Sequence, residues 1–206
     1  ITNSSMSDQN SFIEQLKLFA TESGRKIKVK KDPYPTTSSD QEEEYRITVV
    51  IPEIDDGDLF FIAYSDLKSG SLYSVYSGVF SAGSEPCQSK LSVVKKDWLD
   101  RLSFRSGYKT IKTGSIPFDK KTKITSNNPQ MVHRLFSGLD SQNAAMSALD
   151  LSDGFTISIN ELVTEQMESF KGFSQLSLYA YKDWILDGST IEKMFIAVRN
   201  LKESWR

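Results

Sequence analysis

His133 is the sole histidine of the chain and Cys87 the sole cysteine, which narrows the chemistry open to this protein from the outset. One imidazole excludes catalytic arrangements that need two and leaves at most one Ser/His or Cys/His pairing. His133 lies between Val132 and Arg134 in a short helical stretch, the setting of an ordinary surface or helix-terminus histidine. Cys87, between Pro86 and Gln88, has no basic neighbour or helix start to favour its thiolate and reads as inert. One Cys and one His cannot make a zinc site, and a lone Cys forms no intrachain disulfide. The nearest approach to a catalytic cluster is Asp119, Ser126, Asn127, Asn128 and His133, a carboxylate and hydroxyl set whose warrant is proximity along the chain.

Longer motifs fail on spacing. A nucleophile elbow reads G-x-S-x-G, whereas Gly78-Val79-Phe80-Ser81-Ala82-Gly83 has one residue too many before its serine. No glycines fall where a Walker A or dinucleotide loop needs them, between a strand and a helix. Tyr64 and Lys68 have the separation of a tyrosine/lysine reductase pair but lack the glycine-rich cofactor loop. Glu53, Asp55, Asp56 and Asp58 suggest calcium, yet the position of the distal EF-hand glutamate holds Tyr64. Asp56-Gly57 is the dipeptide of a type I′ hairpin turn, so a charged hairpin tip explains the stretch better. Tyr73, Tyr76, Tyr179 and Tyr181 are able to form a stacking platform for bases or sugars, but no basic stripe accompanies them, and cross-strand packing is the plainer expectation. No catalytic, cofactor-binding or metal-ligating residue is assigned, and no cofactor is expected.

The elements that would position any site follow from periodicity. Phe12, Ile13, Leu16, Phe19 and Ala20 recur at helical spacing, with Ser11 and Glu14 as a capping box and Gly24 as a stop. Arg25 to Lys31 alternates, placing Lys26, Lys28 and Lys30 on one face of a strand and Ile27 and Val29 on the other, a pattern typical of a protected sheet edge. Residues 32–44, with two prolines and Glu42, Glu43 and Glu44, read as an exposed loop. Tyr45 to Ile51, Leu59 to Ser65 and Leu72 to Phe80 form an antiparallel meander turned at Asp56-Gly57 and Ser69-Gly70. Lys90 to Lys95 extends the same sheet, and Asp97 to Gly107 is ambiguous between helix and loop.

Asn128 and Pro129 are an N-cap and first-turn pair for a helix carrying Met131, Val132, Leu135 and Phe136, and a second short helix covers Gln142 to Leu149. Phe155, Ile157 and Ile159, and later Leu176, Leu178 and Ala180, alternate with polar or tyrosine neighbours as half-buried strands do. Ser189 and Glu192 form a capping box for a last helix with the stripe Ile191, Met194, Phe195, Val198 and Leu201. The fold class is α+β: one domain, residues 1–206, with an antiparallel β-meander sheet and helices at both termini packed on it.

Composition limits the partners. Lys plus Arg number 25 against 27 Asp plus Glu, and a net charge of −2 gives no general attraction to nucleic acid, so none is expected as a partner. A core of 206 residues buries about 70% of the surface of the unfolded chain without a staple. The longest apolar runs, such as Leu59 to Tyr64, are far too short to span a bilayer, so a soluble domain is expected. The start at Ile1, with Thr2, Asn3, Ser4 and Ser5, is expected of a processed or trimmed form, and Asn3-Ser4-Ser5 matches a glycosylation acceptor at a level chance explains.

Gly114 to Leu135, with Phe118-Asp119, the run Lys123-Ile124-Thr125-Ser126-Asn127-Asn128 and the helix of Val132 to Phe136, resembles a pattern in uncharacterised bacterial proteins whose small α+β domain is preceded or followed by a membrane anchor. The strand Phe155 to Ile159 and the late helix are similar too, so the resemblance covers roughly the C-terminal half. It implies a bacterial context with membrane attachment outside this segment, and it lends no activity and no site residues. The leading expectation is a non-enzymatic protein-binding or scaffolding domain, its partner another protein or a second copy. The alternatives are an enzyme with a non-standard carboxylate/hydroxyl site, or a carbohydrate- or lipid-binding β-domain.

Overall fold

In the computed structural model, residues 6–33, 45–66, 75–83, 85, 88–96, 110–162 and 174–205 are described. The elements, in chain order, are α1 (Met6–Glu22), β1 (Lys28–Pro33), β2 (Tyr45–Pro52), β3 (Leu59–Ser65), β4 (Val75–Gly83), β5 (Leu91–Lys95), β6 (Thr110–Ile111), α2 (Ile116–Lys121), β7 (Thr122–Ser126), α3 (Pro129–Leu135), α4 (Leu139–Leu149), β8 (Thr156–Ile159), β9 (Ser174–Tyr181) and α5 (Gly188–Ser204). Their strands form one antiparallel sheet in the order β1-β2-β3-β4-β9-β8-β5-β7-β6. The α+β class, the meander of β2, β3 and β4, and the terminal helices packed on the sheet are as the periodicity implies.

Strand alternation sorts the side chains into two layers. Ile51, Phe61, Val79, Leu178, Ile157 and Val93 stand on one face in register across six strands and are buried under the helices. From α1, Leu16 and Phe19 join this layer; from α5 it is Ile191, Met194, Phe195, Val198 and Leu201. Burying that α5 stripe contributes roughly 8–15 kcal/mol before chain entropy is counted. On the opposite face Ile62, Tyr76, Phe80 and Tyr179 make a second buried cluster with Leu162.

Several local expectations are corrected. α1 starts at Met6, so Ser11 and Glu14 are inside the helix and cannot cap it; the Glu14 carboxylate instead accepts from Lys17 Nζ at 2.8 Å. The helix does stop at Gly24, whose φ of 72° is glycine territory and lets Arg25 N–H reach Ala20 O at 2.8 Å and Gly24 N–H reach Thr21 O at 3.2 Å. β1 begins at Lys28 and takes in Asp32 and Pro33, which the sequence places in the loop; 34–44 lie outside the described residues, as do Ser69-Gly70 and Asp97 to Gly107. β4 is described over Val75–Gly83 and so runs past Phe80, while Leu72 to Ser74 lie outside the described residues.

The turn between β2 and β3 is not type I′. Gly57 has no positive φ, and the connection closes through Leu59 N–H to Asp56 O at 3.1 Å and Glu53 N–H to Leu59 O at 2.9 Å. β5 does extend the sheet, but between β8 and β7, away from the meander, because β9 occupies the place beside β4. β8 and the start of β9 are buried on both faces, not half-buried. α4 begins at Leu139, a few residues ahead of Gln142. The cap of α5 is Asp187, whose Oδ2 accepts from Thr190 N–H at 2.8 Å and Thr190 Oγ1 at 2.6 Å, and Ser189 lies within the first turn.

Candidate functional site

The residues nearest to a catalytic cluster are held at opposite ends of β7. At one end the carboxylate of Asp119, on α2, accepts from Thr113 N–H and Thr113 Oγ1, both at 2.9 Å, and from Gly114 N–H at 3.1 Å. Burial alone would raise its pKa, but these bonds and the charge of Lys112 outweigh it and hold the carboxyl below the ordinary range. At the other end, about 16 Å along a strand of five residues, Asn127 accepts from Lys90 N–H at 2.7 Å and donates to Gln88 O at 2.8 Å. Ser126 Oγ donates to Lys90 O and accepts from Asn128 N–H at 3.0 Å. Asn128 caps α3 through Met131 N–H at 3.1 Å, as its pairing with Pro129 implies, and bonds Ser89 Oγ at 3.2 Å.

Ser126, Asn127 and Asn128 thus fasten residues 88–90 at the entrance to β5. His133 points to solvent from α3. Nothing brings Asp119, the hydroxyl and the imidazole to one point, so this set has no shared substrate position. Cys87 and Lys68 lie outside the described residues.

The acidic stretch before β3 is occupied by cations from the protein itself. Glu53, buried beneath α5, accepts from Arg25 Nη2 at 2.8 Å and lies 3.7 Å from Arg199 Nη2, while Lys202 Nζ stands 3.7 Å from Asp58 and 3.9 Å from Asp56. Arg25 also pairs with Glu192 and lies over the rings of Phe195 and Phe19, 4.8 and 5.6 Å from their centroids. Its burial opposes the charge, but the bonds to Glu192 and Glu53 prevail and raise its pKa. Among the described residues no group of three or more His, Cys, Asp or Glu converges to hold a metal ion.

Tyr76, Tyr179 and Tyr181 are gathered on the face of the sheet away from the helices, joined by Tyr64, Phe60 and Phe80; Tyr73 is outside the described residues. Their rings pack on one another: Tyr64 on Tyr76 at 5.2 Å, Phe80 on Tyr179 at 6.4 Å, Tyr179 edge-on to Tyr181 at 4.7 Å. Burial, with Tyr64 a lesser cause, pushes the Tyr76 hydroxyl pKa well up. This is the cross-strand packing that strand tyrosines favour. Phe60, Ile62 and Phe80, which complete the layer, belong to a continuous apolar pattern that alternation alone does not assign to a face.

The remaining surface with a distinct character is the edge at β1. Among the described residues β1 is hydrogen-bonded to β2 alone, and its side chains alternate as expected: Ile27 and Val29 pack against the helix-covered core, while Lys28 and Lys30 are exposed on the aromatic face. Lys26 continues the exposed row, and Lys31 bonds Asn10 of α1 at 3.1 Å. In register, Asp32 stands opposite Arg46 and is bridged by Lys30 at 2.9 Å, so the face is basic with one carboxylate in it. Among the described residues β6, at the far edge, has two residues, and β1 is the longer edge.

No protein-family model matches the chain, and no curated protein matches it. Among solved structures it is similar to the crystal structure of the mycobacterial trehalose monomycolate transport factor A, with a TM-score of 0.56 and 10% identity over 95% of each chain. At that identity the likeness is one of fold.

Proposed function

We propose that this domain is a non-enzymatic protein-binding or scaffolding module that receives its partner at the β1 edge. The observation that carries this is the sheet itself: among the described residues its longer edge, β1, has β2 on one side and exposed lysines along its length. A strand edge offers main-chain hydrogen bonds to an extended segment, which is how sheets recruit peptides. The polar residues best suited to chemistry are committed to loops and caps, which supports a binding reading over a catalytic one. Attachment to a bacterial membrane, which the resemblance of the C-terminal half implies, belongs to the same proposal and is checked by fractionation of cells. Among the described residues no helix is long and apolar enough to cross a membrane.

The test is site-specific photocrosslinking in cells. A photoreactive residue at position 30 is compared with one at position 143, an exposed site on α4. One identified protein crosslinked from 30 and absent from 143 is the expected result. Equal adducts at both, or none at either, would overturn the role.

A carbohydrate- or lipid-binding role is the second reading, favoured by the half-buried rings of Phe60, Tyr64 and Tyr181 at the margin of the aromatic layer on the face away from the helices. The protein of similar fold is a trehalose monomycolate transport factor. Quenching of tyrosine fluorescence by a glycolipid, abolished on Tyr181→Ala, distinguishes this role from the first.

A further inference from the structure

Within that binding role, the charge along β1 selects among strands. We propose that the β1 edge takes up an extended acidic segment of a partner protein as a tenth strand, with carboxylates at alternate positions beside Lys28 and Lys30.

The pleat dictates the pattern. A strand added beside β1 places alternate side chains next to Lys28, Lys30 and Asp32 on one face and next to Val29 and Lys31 on the other, with Ile27 just ahead of the strand on that second face. Ile27 and Val29 are half-buried, so their remaining exposed surface favours Val, Ile or Leu opposite. Lys26, Lys28 and Lys30 are all exposed, with Lys30 bridged to Asp32, and a basic strand would be repelled by the row. The preferred sequence therefore alternates Asp or Glu with an apolar residue.

The same charges disfavour a second copy of this chain at the edge, because β1 against β1 sets lysine rows side by side. They also form a single row interrupted by Asp32, bridged to Lys30, which is a narrow target for a membrane surface and a fitting one for a strand.

The experiment uses the full chain and a fluorescein-labelled peptide of about eight residues, the length of an ordinary strand, alternating Glu and Val. Anisotropy measures binding, and amide hydrogen exchange locates it. The expected result is saturable binding that weakens with salt and slows exchange within 28–33. The doubly reversed variant Lys28→Glu/Lys30→Glu should bind at least about tenfold more weakly and gain affinity for the matching Lys/Val peptide. Both positions are exposed, and circular dichroism verifies that the variant folds.

Equal binding of the Glu peptide by both chains, protection outside β1, or binding of phosphatidylglycerol vesicles without the peptide would each overturn the tenth-strand site. Should the variant fail to fold, a salt-independent affinity of the unaltered chain would overturn it as well. If crosslinking from position 30 captures a partner through a segment that is not acidic, the tenth-strand chemistry is wrong while the binding role stands. If nothing is captured there, the binding role itself fails.

Discussion

Gly78 in β4 and Tyr179 in β9 face each other across a strand pair too close for two side chains. A Cβ on Gly78 would lie 2.4 Å from both Tyr179 Cβ and Leu178 O. Both neighbours belong to the backbone or its first side-chain atom, so neither swings aside. Gly78→Ala is expected to cost about 3 kcal/mol or more as the strands are pushed apart. Gly57→Ala, with nothing within 4 Å, should stay within about 0.5 kcal/mol. Urea denaturation midpoints of the two variants check the contrast, and equal midpoints would refute the close approach.

Arg25 is the neutralising partner of a buried carboxylate. Its side chain and that of Glu53 are 5% and 7% exposed, so Arg25→Ala strands the charge of Glu53 beneath α5 with only Arg199 near it. Removing one member of a buried pair costs about 3–5 kcal/mol. Adding Glu53→Gln should recover part of this, because the second change removes the stranded charge. A double-mutant cycle by thermal denaturation measures the coupling, and simple additivity would count against the pair.

Asn160, at φ 55°, closes the end of β8. Its side chain donates to Ser89 O at 2.7 Å and accepts from Gln175 N–H at 2.8 Å, both buried. Asn tolerates the left-handed region better than other L residues. Asn160→Ala strands both partners and adds strain, for an expected loss of about 2–3 kcal/mol. Amide exchange at Gln175 should accelerate in that variant; an unchanged rate would contradict the assignment.

Acid should weaken the fold through Asp119 and Asp187. Burial opposes the charge of Asp119, but Thr113 and Gly114 lower its pKa below the ordinary value; for Asp187 the lowering comes first from the Thr190 hydroxyl and then from its N–H. Because the folded values lie below the unfolded one, about 3.9, the stabilisation is complete above that pH. It fades as pH falls through the folded values. Asp119→Asn should lower Tm at pH 7 and flatten its decline below about pH 4. A decline as steep as that of the unaltered chain would exclude Asp119 as a contributor.

Much of this fold was legible residue by residue. The stripes of α1 and α5, the alternation of β1 with its outward lysines, the runs of the meander and the Asn128-Pro129 start of α3 are local patterns. Local sterics and burial on one face are enough to produce them. Thr110–Ile111 is too short to show a period, Thr122–Ser126 hides its alternation because Ile124 is its single apolar residue, and the six residues of α2 carry little periodicity.

What the sequence by itself determined, then, is most of the longer helices and strands, which stripes are apolar, and how poor the chain is in His and Cys. Tertiary structure decided the rest, because long-range partners rather than local spacing set it. β9 displaces β5 from the side of β4 through the Gly78–Tyr179 fit, a pairing of distant segments that no window shows. Ser158 and Ser177 are buried where alternation suggests exposure, since their hydroxyls satisfy each other at 2.8 Å. At the start of α5 the ring of Phe19 would come within 2.7 Å of any Cβ on Gly188, a long-range contact that calls for glycine there, beside the capping Asp187. Asp119 and Ser126, neighbours in sequence, are separated by the length of β7, so adjacency along the chain never became adjacency in space.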